Sequence, residues 1–216
     1  MRSMLVIGAG RFGSNLAVKL AELGNEVLVV DVDEEAVSKL VPFVTRVQIG
    51  DCMDCDVLNE LGVRNFDVCF VCISDSFQAS MEITSLLKEM NAAHIVAKSD
   101  RAIHADLLRK IGADEVVYPE QDMAQRTAVR YSARGVFDYI EISPEYAIME
   151  IRAPAEWVGH DIRKLDVRTK HQINVIGIRS GEHVLPMISA DHVFQSGEHL
   201  IVAGEQRDIL KLLEQK

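Results

Sequence analysis

Apolar residues arrive in two alternating rhythms over roughly the first 118 positions. Short runs rich in β-branched side chains ("MLVI", "VLVV", "RVQI", "VCFVCI", "HIVA" and "EVV") have the length of strands buried on both faces. They predict strands over Met4–Ile7, Val27–Val30, Arg46–Ile49, Val68–Ile73, His94–Ala97 and Glu115–Val117. Between them the apolar positions recur at helical spacing, which predicts helices near Arg11–Leu23, Glu34–Leu40, Asp54–Leu61, Ser76–Met90 and Ala102–Ile111. Strand and helix in steady alternation imply a parallel sheet covered on both faces, an α/β doubly wound fold.

Past Pro119 the rhythm changes. A helical stretch, Asp122–Ala133, ends near Gly135. Then "YIEIS", "AIMEIRAP", "NVIGIRSGEHVLPM" and "HLIVAGEQRDILKLLE" predict short strands, a hairpin at Ser180-Gly181 and one terminal helix. The expected organisation is a first domain over 1–120, a connecting helix over 121–137 and a smaller α+β domain over 138–216.

At 216 residues the chain has room for two such cores. Its formal net charge of −10 argues against a nucleic-acid surface, which needs clustered Lys and Arg. It shows no apolar run of membrane-spanning length and no signal-peptide layout, so a cytosolic location is expected. Two CxxC pairs, Cys52/Cys55 and Cys69/Cys72, have zinc-ribbon spacing. The second pair falls in a predicted strand, where residues i and i+3 face opposite sides, so a core role for these thiols is the better expectation.

Gly8, Gly10 and Gly13 fit G-x-G-x-x-G at the end of the first strand, with Asp31 closing the second about twenty residues on. The glycines allow a tight turn, close phosphate approach and close helix packing, and free N–H groups at the helix start then face phosphate. Asp31 accepts from both ribose hydroxyls in this arrangement, favouring NAD or an adenosine nucleotide over NADP. Asp51 and Cys52 end the third strand where an adenine lies, and Ser74 and Lys98 continue that edge. Lys98 reads equally as a phosphate cation or a solvated lysine. Arg11 reads as an anion ligand or an ordinary helix start, and Glu120 as a capping-region carboxylate just before a helix.

The chemistry of an enzyme is missing from this pattern. No Tyr-x-x-x-Lys, His-Glu-x-x-His or Gly-x-Ser-x-Gly occurs, which points to sensing rather than turnover. A small NAD(H)-dependent oxidoreductase or redox sensor is the alternative that Asp31 allows.

"VIGAGRFGSNLAVKLAELGNEVLVVDVDEEAV", "GD" at 50–51, "LGVRNFDVCFVCISDSFQASMEITSLLKEM" and "KIGADEVVYPEQDMAQRTA" closely resemble the RCK (KTN) regulatory subunits of Ktr- and Trk-type potassium uptake systems. The tail from "GHDIRKLDV" to "VAGEQRDIL" resembles their C-terminal RCK domain. The resemblance covers nearly the whole chain. It implies a non-enzymatic cytoplasmic protein, peripherally associated with the inner face of the membrane. It also implies dimers that build an octameric ring docked on an integral-membrane potassium-translocating subunit. Implied ligands are ATP and ADP, with NAD(H) in some members, Mg2+ or another divalent cation, and cyclic di-AMP at the C-terminal domain of others. By the same resemblance Gly8, Gly10 and Gly13 form the phosphate turn, Phe12 is counted among the cofactor-binding residues and Asp31 holds the ribose. Asp51 and Cys52 lie at the adenine, Arg11 approaches the γ-phosphate, and Glu120 can hold a divalent cation.

Overall fold

The computed structural model describes residues 1–214, whose contacts fall into two compact units, Met1–Gln121 and a second beginning at Asp122. Six strands build the first unit: β1 (Ser3–Ile7), β2 (Glu26–Asp31), β3 (Arg46–Ile49), β4 (Val68–Val71), β5 (Ile95–Lys98) and β6 (Glu115–Val117). They are all parallel and lie in the order β3-β2-β1-β4-β5-β6. This is a Rossmann-like doubly wound sheet, and its strand order reverses between β1 and β4. Ligands of such sheets enter the crevice outside the carboxyl ends of the strands at that point.

Helices α1 (Arg11–Glu22), α2 (Glu34–Ser38), α3 (Cys55–Leu61), α4 (Phe77–Glu89) and α5 (Ala102–Ile111) make the crossovers. The strands alternate their side chains between two cores. Leu5, Ile7, Val30, Cys69 and Val71 pack on one face, and Met4, Val6, Val29, Val68 and Cys72 on the other. A parallel sheet must be buried on both sides in this way, so its strands read as unbroken apolar runs. Side chains of Asp33, Asp54 and Ser76 cap α2, α3 and α4.

Helix α6 spans Pro119–Ser132, three residues earlier than the pattern predicts. Pro119 takes the first helical position, where its fixed φ suits the helix and its missing N–H costs nothing. Glu120 is therefore inside the first turn of α6, not ahead of the helix.

The second unit holds an antiparallel sheet in the order β10-β9-β11-β8-β7, from β7 (Val136–Glu141), β8 (Tyr146–Arg152), β9 (Ile173–Ser180), β10 (His183–Leu185) and β11 (His199–Glu205). Ser180 pairs with His183, so Gly181 turns the hairpin at φ 59. Trp157, Phe194, Met149, Ile178 and Leu212 of α9 (Gln206–Glu214) share its core. Two short helices, α7 (Ile162–Leu165) and α8 (Val167–His171), stand where no helix was predicted. Each is too short to show a period, and the Asp161 carboxylate starts α7 by accepting from Lys164 N at 2.8 Å.

Candidate functional site

The turn after β1 is fixed by main-chain bonds before any side chain acts. Gly8 N donates to Val30 O at 2.8 Å, and Cys72 N donates to Ile7 O at 2.7 Å. Gly8 has φ +102, and a Cβ on it would stand 3.0 Å from the Cys72 carbonyl carbon. A Cβ on Gly13 would come within 1.9 Å of Gly8 O, so α1 can lie this close to the turn only with glycine there. Gly10 differs, because a Cβ on it would meet nothing within 4 Å. Its free side faces open space at the N-cap of α1. That helix has no side-chain cap and no acidic residue in its first turn. Donors of its first turn are thus left to an anion, whose charge the helix dipole also favours.

Asp31 is held directly against this turn. Ala9 N donates to its Oδ2, and Asp33 N donates to Oδ1 at 2.9 Å. Two main-chain donors aim a half-buried carboxylate and leave lone pairs for ribose hydroxyls. Gly50 N donates to Asp31 O at 3.0 Å and ties the end of β3 beside it. Asp51 is exposed there, while Cys52 is only 3% exposed and its thiol belongs to the core. Burial, with the Asp51 and Asp31 charges, pushes that thiol up to about 12. Cys52 therefore offers a ligand its main chain alone.

A second cluster sits at the ends of β4 and β5. Lys98, 9% exposed, donates from Nζ to Ser74 Oγ at 2.9 Å and to Glu120 Oε1 at 2.7 Å. The same ammonium lies 6.0 Å from the Phe12 ring centroid. Its hydrogen bond holds the Glu120 carboxyl below the usual carboxylate range, and the Arg11 guanidinium adds to that. Strand register accounts for the gathering, since Ile7 pairs with Val71 and Val71 with Ala97. All eleven expected site residues accordingly lie along one carboxyl edge of the sheet, in the turns that leave it or in the first turns of α1 and α6. The Ala9–Asp31 bond and the Lys98–Ser74–Glu120 triad were not visible in the sequence. Lys98 is 24 residues from Ser74 and 22 from Glu120, and no local spacing marks such pairs.

The residues fit a nucleotide better than they fit a metal ion by themselves. Gly10 leaves room for phosphate, α1 supplies donors and Asp31 an acceptor pair. Among the described residues no group of three His, Cys, Asp or Glu is arranged to hold a metal. A cation at Glu120 thus needs phosphate oxygens as its further ligands. Cys69 and Cys72, 0% and 4% exposed, pack into cores on opposite faces of the sheet, which prevents a shared metal. In the second unit a pocket of ≈ 390 Å³ is lined by Arg126, Arg130, Tyr131, Phe137, Glu150 and Arg179, among others.

The chain is similar to known proteins along nearly its whole length. The TrkA-N domain model matches residues 4–119 and the TrkA-C domain model residues 146–216. The chain is 39% identical over 208 residues to "Ktr system potassium uptake protein C" of Bacillus subtilis, covering 96% of this chain and 94% of that protein. It is 33% identical over 208 residues to "Ktr system potassium uptake protein A" of the same organism, with the same coverage of both chains. Among solved structures, the GsuK RCK domain superposes with a TM-score of 0.69 at 19% identity, over 99% of this chain and 48% of that one. The GsuK channel bound to NAD gives 0.69 at 20% identity, over 99% of this chain and 39% of that one. This chain thus spans half or less of those longer chains, and the likeness carries the fold alone.

Proposed function

This chain belongs to the RCK family of Ktr- and Trk-type potassium uptake proteins, and we propose that within it the chain is a nucleotide-sensing regulatory subunit. The observation that carries this reading is the uncapped start of α1 beside the Asp31 carboxylate, which the same turn pins through Ala9 N. Such a site binds phosphate at the helix start and ribose at the carboxylate. The ligand is ATP or ADP, with NAD(H) as the other candidate. Gly8, Gly10, Phe12 and Gly13 cradle the phosphates, Asp31 the ribose, Asp51 and the Cys52 main chain the adenine. Ser74 and Lys98 lie at the phosphate end, and Glu120 meets a divalent cation there.

Sensing requires that one ligand favour one conformation more than another does. Arg11, exposed on the first residue of α1, supplies that difference by reaching the γ-phosphate that ADP and NAD lack. The protein works in homodimers assembled into an octameric ring on the cytoplasmic face of an integral-membrane potassium-translocating subunit. Among the described residues no helix is long and apolar enough to cross a membrane, which suits a protein that acts on a separate membrane partner. A domain boundary near residue 120, with α6 as connector, fits that use.

Titration calorimetry with ATP, ADP and NADH, alongside light scattering of assembly size, tests the reading. Arg11→Ala should weaken ATP by about ten- to hundredfold and ADP much less, because one charge-assisted contact is lost. Equal loss for both would make Arg11 a general phosphate contact. Reduction of NAD by a candidate substrate, followed at the nicotinamide band, would instead favour an oxidoreductase. Cyclic di-AMP in the same titration tests a second ligand on the C-terminal unit.

A further inference from the structure

Lys98 is unusual in this molecule because its ammonium is buried, at 8% side-chain exposure, while its carboxylate partner Glu120 is 65% exposed. An ammonium has three N–H donors, and Ser74 Oγ and Glu120 Oε1 take two of them. The Phe12 ring centroid lies 6.0 Å from the charge, and Phe12 is the second residue of the α1 first turn, beside the donors that no side chain caps. A buried charge keeps its partner until a better one arrives, since leaving it unpaired is costly. The pair is asymmetric. Lys98 cannot retreat into water, whereas Glu120 can.

We propose that Lys98 is the residue that reads ligand phosphate charge, and that it does so by exchange, leaving the Glu120 carboxylate for a phosphate oxygen. Glu120 is then a competitor of the ligand, not a contact, whenever no divalent cation is present. Its charge also repels the phosphate directly, as any nearby carboxylate must. Glu120 is the second residue of α6, so each exchange frees a side chain of that helix's first turn. With a divalent cation present the freed carboxylate acquires a partner, and competition turns into assistance.

This inference rests on the nucleotide reading above, and its test separates the two. Binding of ADP and of adenosine to the full-length protein is measured by calorimetry in chelator, with thermal melts of every variant. Glu120→Gln should bind ADP roughly two- to fivefold more tightly, a modest gain because the carboxylate side of the pair is exposed and solvent-screened, and leave adenosine unchanged. Lys98→Met should weaken ADP by about tenfold or more and leave adenosine unchanged. In the Lys98→Met background the gain from Glu120→Gln should shrink, because the competition has lost its object. If ADP binding is unmoved or weakened by Glu120→Gln in chelator, the exchange is wrong even though nucleotide binding stands. A uniform loss for ADP and adenosine in Lys98→Met would make Lys98 structural and overturn the proposal. Should the wild-type protein bind neither ligand, the nucleotide reading itself falls.

Discussion

At the scale of single residues, the site depends on which atoms are already committed. Asp31 uses both oxygens to accept main-chain N–H groups, from Ala9 and Asp33. Its position is therefore set by the turn and by the start of α2, not by any ligand. Asp31→Ala should weaken ATP, ADP and NADH by a similar factor, about 2–4 kcal/mol for two lost hydrogen bonds to a charged acceptor. Calorimetry on the three ligands checks this, and unchanged ADP affinity would move the ribose elsewhere. The glycines and Asp31 were legible in the sequence because their spacing is local to one β-α-β unit. Glu120 was legible as a residue but not in its setting. Its partner comes from β5, and its helix starts earlier than the apolar period could reveal. Cys52 was placed at the right edge, yet period-2 reasoning does not reach a turn, and its thiol faces the core.

At the scale of elements, the first unit was readable almost strand for strand, because parallel strands buried on both faces are continuous apolar runs. The second unit was read more coarsely. Its helices α7 and α8, of 4 and 5 residues, depend on a cap and on neighbours instead of periodicity. Helix α6 illustrates what periodicity hides. It has no buried residue, and its ties to β7 are polar: Gln125 Nε2 donates to Glu141, and Arg126 Nε and Nη2 form a two-pronged ion pair with the Asp138 carboxylate at 2.9 and 2.7 Å. The Arg126 hydrogen bonds, helped by Tyr139 N–H and the Arg126 and Arg130 charges, hold Asp138 below the usual carboxylate range. A depressed folded-state pKa contributes stability above the unfolded value, near 4, and loses it as pH falls through the folded one. Asp138→Asn should therefore lower the urea midpoint at pH 7 and have a smaller effect at pH 3. Asp138 is 41% exposed at its side chain, so solvent screening keeps the change modest. An equal loss at both pH values would assign the effect to packing.

At the scale of the whole molecule, the two units have separate cores and separate reporters. The sequence has one tryptophan, and Trp157, 1% exposed, lies in the core of the second unit. The proposed nucleotide site belongs wholly to the first. A ligand that binds only folded protein raises stability by about 2.7 kcal/mol at a hundredfold excess over its Kd. ADP should accordingly shift the far-ultraviolet melting of the first unit upward and leave the Trp157 fluorescence midpoint in place. A matching shift in both signals would show the chain unfolding as one cooperative block. The thiols extend the same contrast. Cys52, Cys69 and Cys72 are buried, and burial pushes their thiols up to about 12, away from the reactive thiolate. Cys55 is exposed, on the first residue of α3 just past the Gly50-Asp51 turn. A maleimide dye added to the native protein thus finds a single address, next to the proposed adenine edge. Without any engineering, the molecule accepts a fluorophore where ligand arrival can be watched in real time.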